Sequence, residues 1–383
     1  MKKILIFYGS YGAGHLSAAR SIKEYIDNNY KNVKTEMVDC IEYINRLLNK
    51  VTTKTYDELS KKAPWAWEKV YTNSQSGPLS KISNTSNKIM SIKLNKLIHE
   101  FSPDLIISTH PFSTQMCGIL KEKGKINCKI ATVLTDYAPH NQWLVHSDFI
   151  DYFFVAHYGM KYSLEKAGIP SSKVFATGIP LSTKFLAHYN KEEILKSFDL
   201  QPDRKTVLFF AGGSSHYASG NIAEIFESFI ENFPDIQLLT ITGRSPKLKK
   251  HFDEIVEVTD TGKNVKVLSF TDKVPELMSV SDLVITKPGG LTTTESLASG
   301  LPIIVINPIP GQEEENAQFL EEQKVAIWLK KGDDIKQVLT KLFTSPYDLK
   351  DMKIRARLLA KKNSTRDICK ILLGEEDNKK SNS

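Results

Sequence analysis

The stretch KKILIFYGSYGAGHLSAARSIKEYI, residues 2–26, runs from an apolar block through three glycines and a histidine into a segment of helical periodicity. An uninterrupted apolar run ending at glycine predicts a strand buried on both faces, and the apolar spacing from Leu16 to Tyr30 predicts a helix behind it. Gly9, Gly12 and Gly14 fall on the connecting turn. There, free backbone N–H groups and the positive end of the helix dipole receive an anion, and the missing side chains let a ligand approach the main chain. The order G-x-x-G-x-G departs from the dinucleotide-binding G-x-G-x-x-G, although Asp39 lies near the position of a ribose-binding acid. The G-x-x-x-x-G spacing also matches the start of a phosphate-binding P-loop, but His15 stands where that loop needs lysine. Neither template accounts for the turn, and a tight connection that needs glycine for conformation alone stays open.

Outward from this turn, KILIFY, VKTEMVD, DLIISTH, KIATVLTD and DYFFVA read as strands, with helical periodicity between them, as from Ser113 to Lys123. Such alternation predicts a parallel sheet covered by helices. A basic, mostly helical excursion from about residue 42 to 102 interrupts the pattern as an insertion. After GIPLSTKFLAHYNKEE the alternation restarts, and TVLFFAGG, IQLLTITG, VKVLSF, DLVITK, PIIVIN and VAIWL give six more strands. The chain therefore reads as two doubly wound α/β domains, residues 1–185 and 186–373, with a hinge within 181–200. A terminal helix beyond Asp348 is assigned to the second domain with a break near Asn363, and residues 374–383 form a solvated tail.

A length of 383 residues suits two domains, and 41% hydrophobic with 25% charged residues is ordinary for a globular chain. The four cysteines, at 40, 117, 128 and 369, have no C-x-x-C pairing and no histidine at zinc-ligand spacing, which argues against a disulfide framework or structural metal. With no signal-peptide pattern and no apolar run of 18 residues, the expected location is the cytoplasm, peripheral at the inner face of the cell membrane. From Arg46 to Leu97 there are ten Lys/Arg against three Asp/Glu, a local excess equal to the net +7 of the whole chain. Trp65, Trp67 and Tyr71 sit among these lysines, a combination suited to anionic membrane lipids. No nucleic-acid-binding motif accompanies the basic stretch.

A second glycine turn stands in TKPGGLTTTESLASGLPIIVINPIPGQEEENAQFL, residues 286–320. Gly289 and Gly290 precede a threonine-rich helix start carrying Glu295, and the next strand is followed by Gln312, Glu313 and Asn316. Backbone amides, hydroxyls, carboxylates and amides gathered at one sheet end suit the vicinal hydroxyls of a ribose or hexose.

Together, GSYGAGHLSAA, TVLTDYAPHNQW, TKPGGLTTTES and LPIIVINPIPGQEEEN resemble, in order, the motifs of the monogalactosyldiacylglycerol synthase and processive diacylglycerol glucosyltransferase family. That family is related to the murein lipid-intermediate N-acetylglucosaminyl transferase, and the resemblance covers about residues 3–370. It implies a GT-B fold, two Rossmann-like domains facing across a cleft, with the acceptor bound mainly by the first and the UDP-sugar by the second. By the same resemblance, Glu295 holds the ribose hydroxyls, Gln312 and Glu313 the sugar hydroxyls, and the backbone around Phe270 and Thr271 the uracil, with Asn316 a further donor-side residue. Gly212, Gly213 and Ser214 of FAGGSS face the diphosphate, as do Lys287, Gly289, Gly290, Leu291 and Thr292, with Arg244 as a phosphate neighbour and Gly14 leaving room in the opening loop.

His15 is then the expected general base of an inverting transfer, imidazole having the intrinsic pKa for the task. Asp136 is expected to orient His15 or the acceptor, or itself to be the base, and His110 and Tyr137 are acceptor-side candidates. No Asp-x-Asp motif occurs anywhere, so the expected transfer uses no metal or other cofactor. The implied partners are UDP-glucose or UDP-galactose and diacylglycerol, with dimerisation left open. A UDP-N-acetylglucosamine transferase to another lipid acceptor, an NAD-dependent oxidoreductase and a non-enzymatic nucleotide-sugar sensor are the rival readings.

Overall fold

The computed structural model describes residues 1–9, 13–46, 91, 93–212 and 221–376. Most of the basic insertion with Trp65, Trp67 and Tyr71, the Gly12 turn, Gly213, Ser214 and the end of the tail lie outside the described residues.

The chain divides into two units at Thr183/Lys184. The first holds β1 (Lys2–Tyr8), β2 (Val33–Asp39), β3 (Leu105–Ser108), β4 (Lys129–Val133), β5 (Tyr152–Phe154) and β6 (Val174–Phe175) in the order β2-β1-β3-β4-β5-β6. Every pairing is parallel, with Ile4 opposite Thr35 on one side and Leu105 on the other. Ile4 to Phe7 are fully buried, as a central strand covered on both faces requires, whereas β2 at the edge alternates in exposure. β6 was not anticipated, since two residues carry no periodicity. The connecting helices include α1 (Ala13–Asn29), α2 (Cys40–Arg46), α3 (Pro111–Glu122) and α4 (Tyr158–Lys166).

The second unit repeats the plan with β7 (Thr206–Phe210), β8 (Gln237–Ile241), β9 (Val265–Leu268), β10 (Leu283–Thr286), β11 (Ile303–Val305) and β12 (Ala326–Trp328), in the order β12-β11-β10-β7-β8-β9. All of its pairings are parallel. Its helices are α5 (Lys191–Ser197), α6 (Ile222–Asn232), α7 (Pro246–Val258), α8 (Val274–Val280), α9 (Gly290–Ala298), α10 (Gln312–Glu322), α11 (Ile335–Thr344) and α12 (Pro346–Leu359). Phe226 of α6 stacks on Phe252 of α7 at 4.0 Å between ring centroids, within a core that includes Val207, Phe209, Leu238 and Ile285.

The last helix, α13 (Ser364–Leu373), corrects the expected domain boundary, because residues from Lys361 onward pack with the first unit. Its apolar residues Ile368, Cys369 and Leu372 join Ala19, Ile22 and Ile26 of α1 and Ile4, Ile6 and Ile107 of the sheet in one core. Burying an Ile or Leu side chain is worth about 2 kcal/mol, so this face alone fixes the helix there. Helicity is interrupted between Leu359 and Ser364, matching the expected break near Asn363.

In each sheet the strand order reverses once, between β1 and β3 and between β7 and β10. The loops leaving the carboxyl ends of strands at such a reversal form the crevice in which doubly wound sheets hold ligands. The GSYGAGH loop follows β1 and the TKPGG turn follows β10, so both sequence motifs lie at reversal points.

Candidate active site

At the first reversal, Thr109 leaves β3 and ties the start of α1 to the sheet. Its N–H donates to Phe7 O at 2.9 Å, and its hydroxyl donates to His15 O at 2.9 Å. The Thr109 carbonyl lies 2.6 Å from His15 Nδ1, and Thr135 Oγ1 lies 3.0 Å from the same nitrogen. A carbonyl only accepts, so Nδ1 carries the ring proton and the lone pair is left on Nε2. Burial lowers the His15 pKa to about 4, against the opposing pull of the Thr109 carbonyl, so the imidazole is neutral at physiological pH.

His110 meets His15 edge-on with ring centroids 4.6 Å apart. Its Nδ1 accepts the Phe112 N–H at 3.2 Å, making it the amino-terminal cap of α3, and burial followed by the neighbouring His15 holds its pKa well below the usual range. Gly9 is required by this packing, since a Cβ there would lie 2.7 Å from His110 Cδ2 and 2.8 Å from Ile41 Cδ1. Asp39 Oδ1 accepts the N–H groups of Ile41 and Glu42 at the start of α2.

Asp136 follows Thr135, and its carboxylate accepts from Gln312 Nε2, one of three residues, Pro310–Gln312, that group with the first unit. The Nδ1 side of His15 is held by Thr109 and Thr135. Tyr137 is only 7% exposed and stacks on His157, whose Nε2–H donates to Tyr137 O at 2.9 Å.

At the second reversal, Gly289 caps α9 without any side-chain hydrogen bond, and Gly290, Leu291 and Thr292 form the first turn. Their amide N–H groups and the helix dipole make this end an anion receptor. Thr294 and Ser296 hydroxyls donate back to the Gly290 and Thr292 carbonyls within the helix. Glu295, one turn in, has no hydrogen-bond or ion-pair partner among the described residues, and burial raises its pKa to about 8.

Glu313 is engaged at both oxygens, accepting from Lys287 Nζ at 3.1 Å and from Ile309 N at 2.8 Å. With side chains 16% and 17% exposed, the Lys287–Glu313 pair braces the turn against α10. Asn316, fully buried, donates from Nδ2 to Pro288 O at 3.0 Å and acts as a strut behind PGG. Arg244 lies over the Phe270 ring at 5.0 Å, and this 63% exposed ring is a platform beside a depression of about 420 Å³ that both residues line with Lys249, Lys250 and Ser269. Thr271 Oγ1 accepts from Lys273 N at 3.1 Å. Gly212 is required sterically, since its Cβ would fall 1.9 Å from Thr242 O. Gly14 lies in the first turn of α1.

The sequence reading missed Thr109 and Thr135. Their only signal was position, each a threonine at the carboxyl end of a strand in a doubly wound sheet. Among the described residues no group of three or more His, Cys, Asp or Glu side chains is placed to hold a metal ion, and no helix is long and apolar enough to cross a membrane.

Two doubly wound units, each a parallel six-stranded sheet with helices, define the GT-B class. Among solved structures the fold matches MurG of Acinetobacter baumannii, with a TM-score of 0.62 at 13% identity over 97% of this chain and 99% of that one. It also matches a UDP co-structure of Staphylococcus aureus MnaA, with a TM-score of 0.62 at 15% identity over 98% of both chains. Residues 15–181 match the monogalactosyldiacylglycerol (MGDG) synthase family, and residues 207–371 match the glycosyltransferase family 28 C-terminal domain. The processive diacylglycerol beta-glucosyltransferase of Staphylococcus epidermidis is 32% identical over 97% of this chain and 92% of its own length. That of Bacillus subtilis is 28% identical over 98% and 96%. The chain belongs to this family of glycosyltransferases.

Proposed function

We propose that the chain transfers a hexose from a UDP-sugar to diacylglycerol with inversion, giving a β-glycosyl-diacylglycerol, and that glucose is the sugar transferred. The acceptor hydroxyl attacks the anomeric carbon, a new C–O bond forms as the bond to the diphosphate breaks, UDP departs, and the hydroxyl proton passes to His15 Nε2. The observation that carries this reading is the fixed Nδ1–H tautomer of His15, which leaves Nε2 as a neutral proton acceptor in the family's opening motif. Glu295 suits a ribose diol, because an unpartnered acid in a buried place gains two donors when the nucleotide binds. The α9 amino terminus suits the diphosphate, its free N–H groups and dipole supplying the positive field that a metal gives in other transferases.

The choice of glucose follows the names of the relatives. The basic, Trp-bearing insertion suits a peripheral place on an anionic inner membrane face. Incubation with diacylglycerol vesicles and UDP-glucose, UDP-galactose or UDP-N-acetylglucosamine, with and without chelator, tests the proposal. The expected product is β-glucosyl-diacylglycerol from UDP-glucose, unaffected by chelation. Transfer from UDP-N-acetylglucosamine alone, an α-linked product, or loss of turnover on chelation would each overturn the corresponding part.

A further inference from the structure

We infer that Thr135 is a positioning residue for the transfer: its hydroxyl and the Thr109 carbonyl form a neutral two-acceptor cradle at His15 Nδ1 in place of the carboxylate expected behind a histidine base. The inference rests on the proposed role of His15 and goes beyond it.

The geometry is specific. The carbonyl at 2.6 Å takes the Nδ1–H directly, and Thr135 Oγ1 at 3.0 Å is a second acceptor converging on the same hydrogen. Thr135 is 4% exposed and stands just beyond β4, while Thr109 stands just beyond β3, so the parallel pairing of Ile107 with Ala131 and Ser108 with Thr132 carries both residues to the same sheet end. The hydroxyl of Thr109 is occupied with the His15 carbonyl, which leaves its own carbonyl pointed at the ring. The titratable group against the ring is His110, edge-on to it, while the carboxylate of Asp136, next in sequence to Thr135, accepts from Gln312.

A proton arriving at Nε2 makes the ring cationic, and both Nδ1 acceptors then become charge-assisted. The cradle therefore acts more strongly in the transition state than in the resting enzyme, which is the condition for an effect on kcat rather than on binding. Its neutrality has a second consequence. A carboxylate at Nδ1 would raise the ring's pKa and bring its protonation close to physiological pH, whereas two neutral dipoles stabilise the cation without a permanent counter-charge.

The test compares Thr135→Val, which is nearly isosteric and lacks the acceptor, with Thr135→Ser, which keeps it. Expected for Thr135→Val is a fall in kcat of roughly tenfold with KM for the UDP-sugar, UDP affinity and Tm unchanged, the size expected for one charge-assisted hydrogen bond. Thr135→Ser is expected to recover kcat to within about twofold, and ¹⁵N spectra of the His15 ring to keep the Nδ1–H tautomer in both variants, since the Thr109 carbonyl still accepts, with the Nδ1 resonance shifted in the valine variant alone. Full kcat in Thr135→Val, or equal impairment in the serine variant, overturns the inference even when His15→Ala is inert. A fully active His15→Ala instead removes the base reading, and the inference falls with it.

Discussion

Glu295 offers a perturbation whose effects on stability and on ligand binding have opposite sign. Its folded pKa is raised from 4.5 to about 8 by burial, so between those values the folded state holds a proton that the unfolded chain releases. Stability from this group is therefore complete below about pH 4.5 and declines as pH rises towards 8, the reverse of a salt-bridged carboxylate. At about 1.4 kcal/mol per tenfold the interval sets a ceiling near 5 kcal/mol, and with part of the side chain open to water about 2 kcal/mol is expected. Glu295→Gln removes the ionisation while keeping the shape. Urea unfolding should find the variant about 2 kcal/mol more stable than the parent at pH 8 and equal to it near pH 4.5. UDP titration of the same samples should find affinity weakened by roughly ten- to a hundredfold, since an amide replaces the ionised acceptor of two ribose hydroxyls with a weaker one. In the parent, UDP binding at pH 7 should release about 0.9 proton, read from calorimetry in buffers of different ionisation enthalpy, because a group titrating near 8 is about nine-tenths protonated before the ligand arrives. A stability gain over the parent that is no larger at pH 8 than at pH 5, or an unaltered UDP affinity in the variant, would refute the reasoning.

His15→Ala should lower kcat by at least a hundredfold with UDP affinity nearly intact, and in the parent the acid limb of kcat/KM should fall near pH 4 rather than 6.5, since burial keeps the base neutral above that value. A limb near 6.5 would assign it to another group. Gly212→Ala places a methyl 1.9 Å from the Thr242 carbonyl and should cost about 3 kcal/mol in unfolding experiments; a loss below 0.5 kcal/mol would show that the β7 turn yields. Glu313→Gln leaves Lys287 without its carboxylate and the Ile309 N–H with a weaker acceptor, and should lower stability by about 1–3 kcal/mol together with UDP-sugar affinity. Binding to vesicles should rise with anionic lipid and fall with salt, each lysine of the Arg46–Leu97 segment contributing about 1 kcal/mol; equal binding to neutral vesicles would refute the electrostatic part.

What could be read from the chain follows from what each residue's role depends on. Parallel strands buried on both faces are continuous apolar runs, so eleven of the twelve strands stand out, and β6 escapes because Val174 and Phe175 are too few to have a pattern. The apolar face of α13 is equally legible, but periodicity says only that Ile368, Cys369 and Leu372 need a core, not which one. In the site, residue types were legible and partners were not. Asp39, His110 and Asn316 belong to the right polar clusters, yet two are helix caps and the third a strut, roles fixed by where a neighbouring N–H or C=O points. Thr109 is illegible for a plain reason: it meets the His15 ring through its main-chain carbonyl, which every residue has.

The proposed base and the proposed ribose-binding acid share one physical device in different chemistry. His15 and Glu295 are each withheld from their charged forms by burial, the imidazole with a pKa of about 4 and the carboxyl with one of about 8. Each has a reason to acquire charge only when its partner arrives. A base must be neutral until it takes the acceptor's proton, and a ribose-binding acid that were ionised in the empty protein would need a counter-ion that the nucleotide must then displace. Deferring both charges makes the resting protein cheaper to fold and concentrates the electrostatic gain in the bound and reacting states, where it alters binding and rate. Substitutions that give either group a permanent partner should therefore raise stability and lower turnover together. Removing the partner of an ordinary surface ion pair such as Lys249–Asp253 should change neither by more than about 0.5 kcal/mol.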